Sequence, residues 1–146
     1  MKIKKIMSEN FKVLTQFVKD LSSETPDVET YLYVKDYLPK YNLNIDITSK
    51  AIKNRMIELN TKLTFMDKGK SKKKSFFEIT YISIVKINEN VKDPKEIERI
   101  ILCDVQSEIY PNLEKIFKNL LNDSGYQGIK FEKKIDFEKL YNQRIN

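Results

Sequence analysis

The sequence predicts an α+β fold: a four-stranded antiparallel sheet followed by helices packed on one face. Three observations predict it. Up to about residue 87, apolar residues recur at every second position in separate runs, the period of strands with one covered face. After Asp93-Pro94 the spacing lengthens to three and four, the period of an amphipathic helix. The two patterns are segregated along the chain instead of alternating, which favours an antiparallel sheet with a helical layer over βαβ units. With 146 residues, 40% hydrophobic and 33% charged, the chain is sized for a single domain, 1–146, with a sizeable core.

The first strand is read from Phe11 to Asp20. Phe11, Val13 and Phe17 lie on one parity and Leu14 and Val18 on the other, so both faces carry apolar side chains. Leu21 to Lys40 contains Ser22-Ser23, Pro26 and Pro39 and reads as a long connection bearing Tyr31, Tyr33 and Tyr37. Tyr41, Leu43, Ile45 and Ile47 alternate with polar neighbours, as do Ile57, Leu59, Thr61, Leu63 and Phe65. They give two half-buried strands around a turn near Lys50 to Asn54. Asp67-Lys68-Gly69 supplies turn chemistry before a fourth strand from Ser75 to Ile87, so the last two strands form a hairpin with a lysine-rich loop. Phe77, Ile79, Tyr81, Val85 and Ile87 share one side of that strand, the core side. The other side runs from Phe76, Glu78 and Thr80 to Ile82 and Ile84, and one layer of helices cannot cover both.

A helix from about Lys95 to Leu102 precedes a long one carrying Val105, Ile109, Leu113, Ile116, Phe117, Leu120 and Leu121. The long helix stops before Gly125, a suitable cap. Pro111 falls inside the pattern and either kinks the helix or ends its predecessor. A last short helix starts with Asp136 as N-cap and runs through Phe137, Leu140 and Tyr141.

The side-chain inventory narrows the function. There is no His, one Cys and three Gly, which removes a Ser-His-Asp triad, Cys-His nucleophiles and the usual zinc sites. Gly69, Gly125 and Gly128 form neither GxGxxG nor a P-loop. No catalytic residues, cofactor or metal ligands emerge, and an enzyme is not expected. The chain has 27 basic and 21 acidic residues. Lys68, Lys70, Lys72, Lys73 and Lys74 supply most of the excess, leaving 22 basic against 21 acidic elsewhere. That run reads as a solvated hairpin loop, or as an anion or nucleic-acid contact; it lacks interleaved aromatics. Cys103, beside Ile101 and Leu102, reads as a buried hydrophobe. Met1 to Met7 has a basic start, but Ser8, Glu9, Asn10 and Lys12 break any signal-peptide core. No run reaches the roughly 20 apolar residues of a membrane span, so a soluble cytoplasmic protein is expected.

Lys19-Asp20-Leu21-Ser22-Ser23-Glu24-Thr25-Pro26, then four strands, a long helix and Asp136-Phe137-Glu138-Lys139-Leu140-Tyr141, resemble the SecB family of protein-export chaperones. The resemblance runs from about Gln16 to Arg144 and includes Tyr37-Leu38-Pro39, Phe76-Phe77-Glu78-Ile79 and Ile109-Tyr110-Pro111. The closing Tyr141-Asn142-Gln143-Arg144 is most similar to alphaproteobacterial members. The resemblance implies a SecB-like fold and an ATP-independent holdase that keeps precursor proteins unfolded and delivers them to the SecA motor. It also implies a homotetramer, a dimer of dimers, with the long helices between two layers of sheet.

By the same resemblance, Asp20, Glu24, Phe76 and Glu78 match the flat acidic face that receives the zinc-binding tail of SecA. Without it they read as ordinary solvated acids and an exposed or interface-packed Phe. Client capture needs aromatic and apolar surface with little discrimination, for which Tyr33, Tyr37 and Tyr41 are candidates. Tyr37 stands where the family usually has Trp. Leu113, Phe117 and Leu121 either line the client groove or are plain core and interface residues. Two further readings stay open: a SecB-like chaperone dedicated to one partner such as an antitoxin, and a basic nucleic-acid-binding module. The chain departs from the family in its basic charge, the lack of an acidic tail, and Ile82-Ser83 in place of the usual Gly-Gly.

Overall fold

The computed structural model describes residues 10–129 and 135–145, with the side chains of the last two left aside; the reading of Met1 to Met7 lies outside them. Four strands, β1 (Phe11–Glu24), β2 (Asn42–Ala51), β3 (Met56–Met66) and β4 (Phe76–Ile87), form one antiparallel sheet in the order β1-β4-β3-β2. The helices are α1 (Val28–Tyr37), α2 (Pro94–Arg99), α3 (Val105–Asp123) and α4 (Phe137–Ile145). The predicted α+β class, sheet and hairpins are present.

Antiparallel partners share a face, so the register separates the two sides. Phe65, Leu63, Thr61 and Leu59 of β3 face the same way as Phe77, Ile79, Tyr81 and Ser83 of β4. The α3 stripe packs on this side: Phe117 meets Phe65 edge to face at 5.1 Å, and Val105, Ile109, Leu113 and Leu121 are buried with it. The opposite face carries Lys62, Thr64, Glu78 and Thr80 at one end and Ile82 and Ile84 at the other, so it passes from polar to apolar along β4.

Two parts of the sequence reading are corrected. The stretch Leu21 to Lys40 is no long loop: β1 continues to Glu24, and α1 follows, capped by the Asp27 carboxylate on the Thr30 N–H at 2.7 Å. A short 3-10 turn at Leu38–Lys40, with Pro39 inside it, ends α1. β1 is also irregular. Register shifts between Val13 and Thr15 and between Val18 and Asp20 mark bulges at Leu14 and Lys19. The first moves Phe17 opposite Ile82 on the outer face, while Phe11 and Val13 stay on the helix side.

The segment Pro94–Asp123 contains both expected helices and joins them through a π-turn at Ile100–Asp104. The Ser107 hydroxyl donates to the Cys103 carbonyl at 2.9 Å within the turn that the wider winding opens. Pro111 lies inside α3 and does not end it. At the far end the Tyr126 N–H donates to the Leu121 carbonyl at 2.8 Å and the Gly125 N–H to the Asn122 carbonyl at 3.1 Å, with Gly125 at φ +94°. These are the two bonds of a Schellman cap. Hydroxyls of Thr25, Ser75 and Tyr126 then join in one cluster, Thr25 to Ser75 at 2.7 Å and Ser75 to Tyr126 at 2.9 Å. The cluster ties the end of β1, the start of β4 and the helix cap together.

Candidate functional site

The four residues expected to form an acidic docking face come together. Register places Glu24 opposite Phe76, Ser22 opposite Glu78 and Asp20 opposite Thr80, all on the face turned away from α3. Asp20 and Glu24 are exposed, while Phe76 and Glu78 are half-buried. One partner was missed from the sequence: Lys62 of β3 reaches Glu78 at 3.2 Å on this face and offsets one of its three carboxylates. Only the register could have revealed it, because Lys62 and Glu78 lie on different strands.

The client candidates divide. Tyr33 and Tyr37 stack on one flank of α1 with ring centroids 4.5 Å apart, and the Lys40 ammonium lies 5.4 Å from the Tyr37 centroid. Tyr33 is half-buried and Tyr37 exposed. Tyr41 is buried against Phe65, its hydroxyl accepting the Ser75 N–H at 3.0 Å; burial pushes its phenol pKa up. Leu113, Phe117 and Leu121 lie inside the core between α3 and the sheet. The outward side of α3 is polar instead, with Glu108, Asn112, Lys115, Lys118, Asn119 and Asn122 exposed.

Apolar surface remains open in two places that the sequence reading did not single out. One is a groove of about 570 Å³ between β2 and the α2 to π-turn segment, lined by Ile47, Ile57, Ile97, Ile101 and Leu102. A smaller hollow of about 200 Å³ continues it past Ile45 and Leu102 to Phe137 and Leu140 of α4. Because β2 ends the strand order, one side of its backbone has no strand partner among the described residues. This track follows β2 from Ile45 to Ala51, and the stacked tyrosines lie upstream of its Ile45 end, on the helix that leads through the 3-10 turn into β2. The alternation of Ile45 and Ile47 was visible in the sequence; the edge position of their strand was not. The other place is β1, also an edge strand, where Leu14, Phe17 (49%), Val18 and Leu21 (47%) are exposed.

The lysine loop sits where the tyrosine end of this track meets the hydroxyl cluster. Lys73 lies 3.8 Å from Glu29 of α1, and Lys74 donates to the Gly69 carbonyl. Lys68, Lys70 and Lys72 are exposed. Cys103 is buried, its thiol 3.8 Å from the Phe137 carbonyl, and desolvation raises its pKa. Among the described residues no helix is long and apolar enough to cross a membrane.

Comparison with known proteins bears on the family and the fold. The family described as preprotein translocase subunit SecB matches residues 4–146. A putative protein-export protein SecB of Pelagibacter ubique is 63% identical over 140 residues, covering 96% of this chain and all of that one. The protein-export protein SecB of Parvibaculum lavamentivorans is 29% identical, covering 91% of this chain and 77% of that one. Among solved structures, a Mycobacterium tuberculosis SecB-like chaperone in complex with a ChAD peptide from the HigA1 antitoxin superposes with a TM-score of 0.64. It covers 91% of this chain and 97% of that one at 8% identity, a likeness of fold. With nearly the whole length matched by the family and by a close relative, the chain belongs to the SecB family of protein-export chaperones.

Proposed function

We propose that the chain works in the cytoplasm as an ATP-independent holdase, keeping precursor proteins unfolded and passing them to the SecA motor. The observation that carries this reading is the open apolar track beside the free edge of β2. An extended polypeptide can satisfy its backbone along such an edge while its side chains use the adjoining groove, with no need for a particular sequence. Tyr33 and Tyr37, stacked on the helix that leads into β2, add amphipathic rings for the same client. Several weak contacts of this kind become useful affinity when one long client meets several copies.

Those copies form a tetramer in this proposal, and the exposed apolar residues of β1 are the surface that a second chain covers. The outer face bearing Asp20, Glu24, Phe76 and Glu78 receives the zinc-binding tail of SecA. Its carboxylates attract a basic tail and Phe76 provides an apolar foothold. The Lys62 to Glu78 pair leaves Asp20 and Glu24 as the principal attracting charges.

Purified protein should suppress aggregation of a denatured precursor without nucleotide, read by light scattering, at one tetramer per client. No suppression at that ratio refutes the holdase reading. Asp20→Lys with Glu24→Lys should abolish binding of the SecA tail while leaving suppression intact. A pull-down dominated by one small protein would instead favour a chaperone dedicated to a single partner.

A further inference from the structure

We infer that the lysine loop makes this chaperone selective for client segments whose apolar stretch is flanked by acidic residues. The inference rests on the client-track reading and adds a charge preference to it. Three observations carry it.

The first is position. Asn42, the first residue of β2, pairs with Met66, the last residue of β3, so the loop at 67–75 leaves the sheet beside the tyrosine end of the track. The Ser75 N–H bonded to the Tyr41 hydroxyl closes that loop against the 3-10 turn leading out of α1. Lys73 lies within ion-pair range of Glu29, in the first turn of α1, which places the loop beside that helix.

The second is charge. Lys35 and Lys40 join Lys68, Lys70, Lys72, Lys73 and Lys74 around this end, against Glu24, Asp27, Glu29, Asp36 and Asp67. Three of the acids are engaged. Asp27 caps α1, Asp67 accepts the Gly69 N–H at 2.8 Å, and Glu29 meets Lys73. Lys68, Lys70 and Lys72 remain exposed. At the other end the groove is bordered by Glu98, with Glu138 paired to Arg99 nearby and Lys50 and Lys95 next to its lining residues, so that end mixes charges of both signs while the five-lysine run lies at the tyrosine end.

The third is the apolar surface beside the lysines. On the outward side of α1, Val28 and Leu32 stand one turn apart, 73% and 57% exposed, next to the Glu29 that Lys73 touches. A ligand using this corner meets aliphatic and aromatic surface together with several ammonium groups. That fits an unfolded segment carrying apolar residues followed by Asp or Glu. A bare polyanion would leave the apolar part unused, and the loop itself holds no aromatic for a base to stack on.

The test uses the full chain and three labelled peptides sharing one aromatic and aliphatic stretch, with glutamate, lysine or uncharged flanks, read by fluorescence anisotropy. The glutamate-flanked peptide should bind about fivefold tighter than the uncharged one, the sum of two or three exposed ion pairs. Added salt should shrink the difference. Lys68→Gln, Lys70→Gln, Lys72→Gln and Lys73→Gln together should erase the advantage while the uncharged peptide binds as before. Equal affinity for all three flanks, or a preference that survives the four changes, overturns the inference while leaving the client track standing. Displacement of the glutamate peptide by an oligonucleotide as effectively as by itself also overturns it, in favour of a plain anion contact. Binding of none of the peptides overturns the client reading and this inference with it.

Discussion

Thr61 and Gln106 form a buried polar pair across the interface between β3 and α3, and its two halves should be far more sensitive separately than together. Both side chains have 0% exposure. The Thr61 hydroxyl donates to Gln106 Oε1 at 3.3 Å, and Gln106 Nε2 donates back to Thr61 Oγ1 at 3.2 Å. Thr61→Val keeps the shape but strands both polar ends of the amide, at a cost of about 2.5 kcal/mol. Gln106→Met keeps the length and strands one hydroxyl, costing about 1.5 kcal/mol. Additivity then predicts a loss of about 4 kcal/mol for the double variant, but removing both partners leaves no orphan. The double should lie within about 1 kcal/mol of the parent, a coupling of about 3 kcal/mol. Urea unfolding followed by circular dichroism measures it, with all four proteins at one concentration because association would shift the midpoints. A double variant as unstable as the two singles combined would refute the account of the pair as mutually satisfying.

Gly125→Ala should destabilise the chain by about 1–2 kcal/mol in the same assay. Gly125 holds φ +94°, and an added Cβ would stand 2.8 Å from Cε1 of the Tyr31 ring, whose hydroxyl donates to the Gly125 carbonyl at 2.7 Å. Asp27→Ala should lower the melting temperature at neutral pH and have little effect in strong acid. Hydrogen bonds from the Thr30 side chain and then its backbone N–H hold the Asp27 carboxyl below its ordinary value of 3.8. A depressed folded pKa contributes stability that is fully present above the unfolded value and disappears as pH falls through the folded one. Melting curves of parent and variant should therefore differ above about pH 4 and converge below it; a gap independent of pH would contradict the capping role.

The strands and the long helix were legible because their apolar residues keep strict periods: Phe77, Ile79, Tyr81 and Val85 every second residue, Ile109, Leu113 and Phe117 every fourth. Gly125 was legible because few other residues tolerate its dihedral. Helix α1 was hidden for a physical reason. Its buried positions are only Thr30 and Val34, while Val28 and Leu32 point outward and Tyr31, Tyr33 and Tyr37 fall on odd positions that mimic a strand. Tertiary contacts, including the Tyr31 to Tyr126 ring pair at 5.1 Å, select the helix. The bulges of β1 were hidden too, since an inserted residue leaves the composition unchanged and only switches parity. That switch explains why apolar residues occur on both parities from Phe11 to Val18. That Asp20 and Glu24 share a face with Phe76 and Glu78 was readable because both lie beyond the second bulge, where alternation is regular again.

The two edges of the sheet are built differently, and the difference bears on the proposed division of labour. From Asn42 opposite Met66 to Ala51 opposite Ile57, β2 keeps an unbroken register with β3, so its free side presents evenly spaced backbone groups. Such an edge accepts another extended chain in many registers, as suits clients of varied sequence. β1 carries bulges at Leu14 and Lys19, which bend the strand and interrupt its ladder. An arbitrary strand cannot follow that edge over its length. A surface of matching shape can, and the exposed side chains at Leu14, Phe17, Val18 and Leu21 give such a surface apolar area to bury. Under the proposed function the bulges keep clients from competing for β1, and self-association and client capture use opposite edges of one sheet. Charge placed on one edge should leave the other's task untouched. Phe17→Lys should reduce the scattering mass of the assembly while each remaining unit still binds an uncharged peptide, whereas simultaneous loss of both would mean that the two edges are not independent.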